Sequence, residues 1–377
     1  MSSSQQSKPS PSPLTTNEPG SFAAFSLEQR LPTILDQLIQ YADTSVVHAL
    51  QQLATEMQTG TISALPPAIF GTLDQALQPY IGRNWANMPF LTVELYFYAR
   101  ILLAFGYTAI TPIDPFQTAK EAANDQAIAA LASQPEYCDP TCEIDKLLHR
   151  AVIGNTADLS QHIMPTHEQV TLLIDESEVA KKLLTTGMQR IDLVFDNAGA
   201  DILTDLLLIR RISPYCTHIV AHVRPYPMFI SDMTLVNMKA LLEKLLASSI
   251  PAARQLGQDI TQLLHQNKLI LRTSPALGVP ANFYDNAALT QAIFGNAELV
   301  IFKGDLNYRF FAGDQRWLHT TEKNHLLQHF GRSALCLRTI KSEVLVGLTS
   351  EIVDHTRTLR SDWLTCGCYG IIQVFAQ

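Results

Sequence analysis

The chain has 377 residues, 47% hydrophobic and 16% charged, which excludes a disordered polymer and allows one large or two ordinary domains. Its net charge is −8 with no Lys/Arg cluster, so nucleic acid and anionic membrane surfaces are not expected partners and a small molecule is. Six cysteines, no charged-then-apolar leader and no apolar run near the roughly 20 residues of a spanning helix predict a soluble chain with reduced thiols, cytoplasmic or shared with the nucleus, its oligomeric state open.

Residues 1–22 begin "MSSSQQSKPSPSPLTTNEPG" and offer almost nothing to bury, so they are predicted to be a disordered tail. Residues 23–165 are predicted to be an N-terminal helical domain. Apolar residues recur there at helical spacing, as in Leu31, Ile34, Leu35 and Leu38 or Leu95, Tyr98, Ile101 and Leu102, with proline-containing breaks between stretches. From 166 to 377 the pattern becomes short apolar runs alternating with helical stretches: 170–175, 191–196, 218–223, 268–273, 298–305, 334–339 and 370–375. Continuous apolar strands separated by helices predict an α/β unit, a mostly parallel sheet in an αβα three-layer arrangement. Ligands of such sheets lie beyond the carboxyl ends of the strands.

Four of these runs end in polar clusters. "VFDNAGAD" offers Asp196, Asn197 and Asp201, and "YPMFISDMT" offers Ser231, Asp232 and Thr234. "IFKGDLNYR" offers Lys303, Asp305, Asn307 and Arg309, and "LRTIK" offers Arg338, Thr339 and Lys341. Alone, "DNAGAD" reads equally well as a helix cap or turn, and Lys303-Gly304-Asp305 as a turn. In a parallel sheet all four would meet on one rim. Carboxylates with an amide carbonyl are hard ligands suited to Mg²⁺ or Mn²⁺, and neighbouring Arg and Lys suit an anion. Hard ligands beside cations point to phosphate chemistry.

Competing motifs are weaker. "DNAG" is similar to a short-chain dehydrogenase motif, but the chain has no GxGxxG or Walker loop for a dinucleotide or nucleotide. His325 and His329 stand four apart without the HExxH glutamate, and the CxxxC and CxC spacings at 138/142 and 366/368 are poor zinc signals. A Gly-x-Ser-x-Gly elbow and the aspartyl-phosphate DxDx[TV] signature are missing.

Together "DNAGAD", "FISDMT", "KGDLNYR" and "LRTIKSEVLVGL" closely resemble the damage-control phosphatase family, in the group that includes the acidic-residue-methyltransferase-like proteins. "RLPTIL", "ELYFYARIL", "DPF" and "IGNTADLS" extend the resemblance through the helical half. It implies a divalent-metal-dependent phosphatase (Mn²⁺, Ni²⁺, Co²⁺ or Mg²⁺) acting on sugar phosphates and related metabolites, with fructose 1-phosphate and fructose 6-phosphate as the substrate class. Asp196, Asn197 and Asp232 would hold the metal and, with Asp305, form the catalytic set. Asp201, Asp305, Leu306, Asn307, Tyr308, Arg309, Arg338, Thr339 and Lys341 would contact substrate. The chain departs from the family pattern at Ile153, at Ala200-Asp201, where Phe-Glu is usual, and at Cys368. Two alternatives stay open: an S-adenosylmethionine-dependent carboxyl methyltransferase, and a binding protein that keeps the pocket without turnover.

Overall fold

All seven apolar runs form strands in the computed structural model, which describes residues 11–155 and 170–376. They are β1 (Thr171–Asp175), β2 (Met188–Val194), β3 (Cys216–Val223), β4 (Leu269–Thr273), β5 (Leu299–Lys303), β6 (Ser333–Thr339) and β7 (Tyr369–Phe375). Their spatial order is β1-β7-β6-β5-β2-β3-β4. Strands β6, β5, β2, β3 and β4 are mutually parallel. The reversal comes at β7, antiparallel to β6, and β1 follows β7.

Side-chain alternation explains why the central runs are mostly apolar, with Asp192 a buried exception held by Arg190 and His222. Ile191, Leu193, Leu299, Ile301, Leu335 and Leu337 enter one core, whereas Val194, Val300, Phe302, Ala334 and Cys336 enter the other. Both faces of the sheet are covered, so successive residues are buried in opposite directions. The first core takes in Ile128 and Leu148 with helices Ala200–Ile212 and Leu235–Ala247. The second takes in Leu31–Ile39, Phe90–Ala104 and Gly304–Ala312. The helices of the N-terminal half therefore divide between the two faces, those up to residue 104 on one and Gln117–Ala130 and Ile144–Gly154 on the other. The expected boundary at 165/166 lies outside the described residues.

Residues 11–22 depart from the expectation of a disordered tail. Leu14 donates its N–H to the Asp314 carbonyl at 3.0 Å and accepts from Phe90 N–H at 2.9 Å, and Arg316 N–H donates to Ser12 at 2.7 Å. Leu14 and Thr16 are buried. The physical reason is that isolated bridges to Gln315 and Pro89 satisfy the backbone, so one leucine is enough to seat the segment. The rest of that tail, residues 1–10, lies outside the described residues. Among the described residues no helix is long and apolar enough to cross a membrane.

Candidate active site

Strand β2 has β3 on one side and β5 on the other, and the chain runs outward through β3 and β4 before returning to β5. Such a reversal opens a crevice at the carboxyl ends of β2 and β5, the usual ligand position in an open α/β sheet. Asp196 and Asn197 follow β2 after Phe195, Lys303 ends β5 and Gly304 opens the next helix. Gly304 has φ +78°, and a Cβ on it would fall 1.7 Å from Asp196 Oδ2. Only glycine permits both the backbone conformation and the space kept clear beside that carboxylate.

The loop after β3 returns alongside β2. Ala198 N–H donates to Ser231 O at 2.8 Å and Met233 N–H to Asp196 O at 3.1 Å, which pairs Asn197 with Asp232. Those bonds flank the pair, making it the closely spaced kind of antiparallel pair with side chains on one face, Cα atoms about 4.5 Å apart. The turn is strained: Phe229 and Ile230 have φ of 49° and 63°, a conformation that bulky residues rarely hold, at about 1–3 kcal/mol each.

Asn155, which sequence reasoning did not select, is the hub of the cluster. Its Nδ2 donates to Asp196 Oδ2 and to Asp201 Oδ2, both at 2.8 Å. Its Oδ1 accepts Thr339 N–H at 3.2 Å, which fixes the amide orientation, and its main-chain O accepts Lys341 Nζ at 2.6 Å. Asn197 Nδ2 reaches Asp196 Oδ2 at 2.7 Å, while its Oδ1 accepts Ser231 Oγ at 2.6 Å. One amide thus ties the end of β2 to the end of β6. Asn155 stands inside the "IGNTADLS" stretch, but an Asn closing a helix reads as an ordinary cap.

Lys303 was grouped with the polar clusters and is fully buried. Its Nζ lies 2.9 Å from both Asp201 Oδ1 and Asp205 Oδ1 and donates to Ala151 O at 2.8 Å. Burial works against the ammonium, but the two carboxylates outweigh it and hold its pKa above the ordinary lysine value. One ammonium faces two carboxyls. Asp205 is pushed up to about 8, by burial first, which Lys303 only partly offsets and the Asp201 charge reinforces.

Asp305 Oδ1 pairs with Arg338 at 2.8 Å and accepts Lys341 N–H at 2.8 Å. The Arg338 guanidinium lies 4.2 Å over the Tyr308 ring and donates to Val344 O at 2.6 Å. Thr339 Oγ1 donates to Val152 O. Asn307 Nδ2 donates to Lys303 O and Phe195 O, and its Oδ1 accepts from Arg224, which also pairs with Asp232 at 3.4 Å.

Residues 305–309, expected as a run to meet substrate, point in different directions in the structure. These five residues lie on helix Gly304–Ala312 and, at 100° per residue, point all round it. Leu306 packs in the apolar core, and Tyr308 OH donates to Gln373 Oε1. Arg309 is turned away, held by Glu94 at 2.8 Å and Asp314 at 2.7 Å and stacked 4.5 Å over Phe90. Asp305 and Asn307 remain with the cluster.

Asp196, Asn197 and Asp232 fit a hard divalent ion as a donor set. All three are at most 4% exposed and supply carboxylate or amide oxygens, and Gly304 lets the Asp196 carboxylate lie directly against the backbone. Among the described residues no three His, Cys, Asp or Glu side chains gather as a metal-binding group, so the set depends on the Asn197 amide. His325 and His329 instead pack edge-on or tilted against Tyr284, Trp317 and each other.

A family model described as the damage-control phosphatase ARMT1-like domain matches residues 26–355. The chain is 28% identical to damage-control phosphatase ARMT1 of Danio rerio, with 96% of each chain covered. It is 26% identical to the Homo sapiens protein of that name, over 96% of this chain and 98% of that one. A crystal structure of a DUF89 family protein from Pyrococcus horikoshii superposes with a TM-score of 0.50 at 14% identity, covering 84% of this chain and 92% of that chain, and so supports the fold alone. With a match that spans both the helical half and every strand-end cluster up to Lys341, the chain belongs to the ARMT1-like damage-control phosphatase family.

Proposed function

We propose that this protein is a divalent-metal-dependent phosphatase that hydrolyses phosphomonoesters of sugars and related metabolites, of the fructose 1-phosphate and fructose 6-phosphate class. The observation that carries this reading is the meeting of three hard oxygen donors, Asp196, Asn197 and Asp232, with a buried cationic edge, Arg338 and Lys341, joined through Asn155. Mn²⁺, Ni²⁺, Co²⁺ or Mg²⁺ held by those donors would polarise a phosphoryl oxygen and activate a water.

The remaining work falls to the chain. Lys341 and Arg338 offer positive charge to the equatorial phosphoryl oxygens, where phosphoryl transfer gains most of its stabilisation. Asp305 holds both in place, through the Arg338 guanidinium and the Lys341 N–H, so the cations need no reorganisation on binding. Asp201 is anchored by Lys303 and Asn155 and takes the place where the family usually has a glutamate, which makes it a determinant of sugar preference. Burial of the whole cluster excludes water and strengthens each charge interaction. A cytoplasmic or nuclear setting, without nucleic acid or membrane, goes with this reading.

The test is phosphate release from a panel of sugar monophosphates with each of the four metals and with chelator, for the parent and Asp305→Ala. Metal-stimulated release that drops in the variant is expected. Release insensitive to chelator would refute metal dependence, and S-adenosylmethionine binding by calorimetry without any release would favour the methyltransferase alternative.

A further inference from the structure

Helix Gln117–Ala130 buries Lys120, Asn124 and Ile128. Packing alone would ask for apolar residues at the first two of these positions, because a buried ammonium or amide is costly unless partnered. Each is partnered, and the partners are the two loops of the candidate site. Lys120 Nζ donates to the main-chain O of Asp232 at 2.7 Å, and is held by Asp114 Oδ2 at 2.9 Å and Asn237 Oδ1 at 3.2 Å. One turn on, Asn124 Oδ1 accepts Gly199 N–H at 2.7 Å, where the loop that began at Asp196 enters its helix. A Cβ on Gly199 would come within 3.1 Å of Ala123 Cβ, so helix and loop are in close contact there.

The i, i+4 spacing sets both side chains on one helical face. The Asp232 loop needs such a hold, since Phe229 and Ile230 keep it in a strained conformation that persists only when its surroundings determine it. Gln117, on the same face, accepts from Asn237 Nδ2 at 2.8 Å and so braces the capping box that follows the loop.

We infer that helix Gln117–Ala130 is a clamp that sets the two ligand loops in register, with Lys120 and Asn124 as positioning residues for the Asp196, Asn197 and Asp232 oxygens. The inference rests on the proposed metal site, and its consequences can be read without turnover. Partners that orient ligands from outside the coordination shell typically carry 10- to 100-fold in metal affinity, so Lys120→Met and Asn124→Ala should each weaken Mn²⁺ binding by roughly that factor in calorimetry.

In metal-free protein Lys120→Met should speed amide exchange across 228–234, and Asn124→Ala across 196–200, with β2 and β5 still protected. Ile128→Ala, on the same helix but purely apolar, should lower the melting temperature and leave Mn²⁺ affinity and loop exchange where they were. Parent-like affinity in folded Lys120→Met and Asn124→Ala protein overturns the clamp. Affinity lost without faster loop exchange, or lost equally in Ile128→Ala, overturns it too. If the parent binds no divalent ion, the metal reading fails and loop exchange alone decides the clamp.

Discussion

At the scale of single residues, the site depends on contacts that admit few substitutions. Gly304→Ala would set a Cβ 1.7 Å from Asp196 Oδ2, so that carboxylate must move. Activity should fall by about two orders of magnitude or more in a phosphate-release assay, as befits a displaced catalytic group, with the chain still folded. Asn155→Ala leaves Thr339 N–H without its acceptor and removes one of the two amides that bridge Asp196 and Asp201, leaving Asn197 as the other. A loss of roughly 10- to 100-fold in kcat is expected, measured beside Asn155→Asp, which keeps the acceptor but not the donors. Asp205 gives a pH signature. Its folded carboxyl titrates at about 8 against an ordinary 3.8, so between those values the folded state holds a proton that the unfolded state has lost. Stability contributed by this group therefore falls as pH rises through that window. The urea midpoint of Asp205→Asn should decline less than the parent's from about pH 5 to about pH 8, and parallel declines would contradict the assignment.

At the scale of elements, the strands were legible because burial on both faces keeps the runs at 299–302 and 334–337 apolar and interrupts 191–195 only at Asp192, which Arg190 and His222 hold. The direction of β7 was not, since an apolar run has the same composition whichever way it pairs with β6. The strand-end clusters were legible as residue types, and the structure brings Asp196, Asn197, Asp201, Asp305, Arg338, Thr339 and Lys341 into one hydrogen-bonded network. What sequence spacing could not resolve was rotation about the helix axis after Gly304, which turns Arg309 toward Glu94 and Asp314. Nor could it expose Asn155 or Lys120, whose partners stand 41 and 112 residues away. The placement of Arg309 makes a prediction. Arg309→Met removes the cation that pairs half-buried Asp314 and one of the two that pair buried Glu94, which keeps Arg30, and this should cost about 3–5 kcal/mol in urea unfolding, while KM for a sugar phosphate in the folded protein stays near the parent's. A raised KM with intact stability would return Arg309 to the substrate.

At the scale of the whole molecule, the chain builds one sheet whose two helical layers draw on both halves of the sequence. Residues 11–22 bind the 88–90 and 314–316 segments, helix Gln117–Ala130 reaches the ends of β2 and β3 from one layer, and helix Gly304–Ala312 reaches them from the other. The crevice between β2 and β5 is thus enclosed by segments remote in sequence, which is why its donors are buried although they sit at strand ends. In the proposed metal site Asp232 shares an ion with Asp196 and Asn197, and hydrolysis needs that ion. The most direct measurement is phosphate release from fructose 1-phosphate by chelator-treated protein as Mn²⁺ is restored, for the parent and Asp232→Asn. Saturable recovery in the parent and a loss of orders of magnitude in the variant, as for an ion that carries the proposed hydrolysis, are the predicted result. Full activity in the chelated parent, or equal recovery in Asp232→Asn, would contradict it.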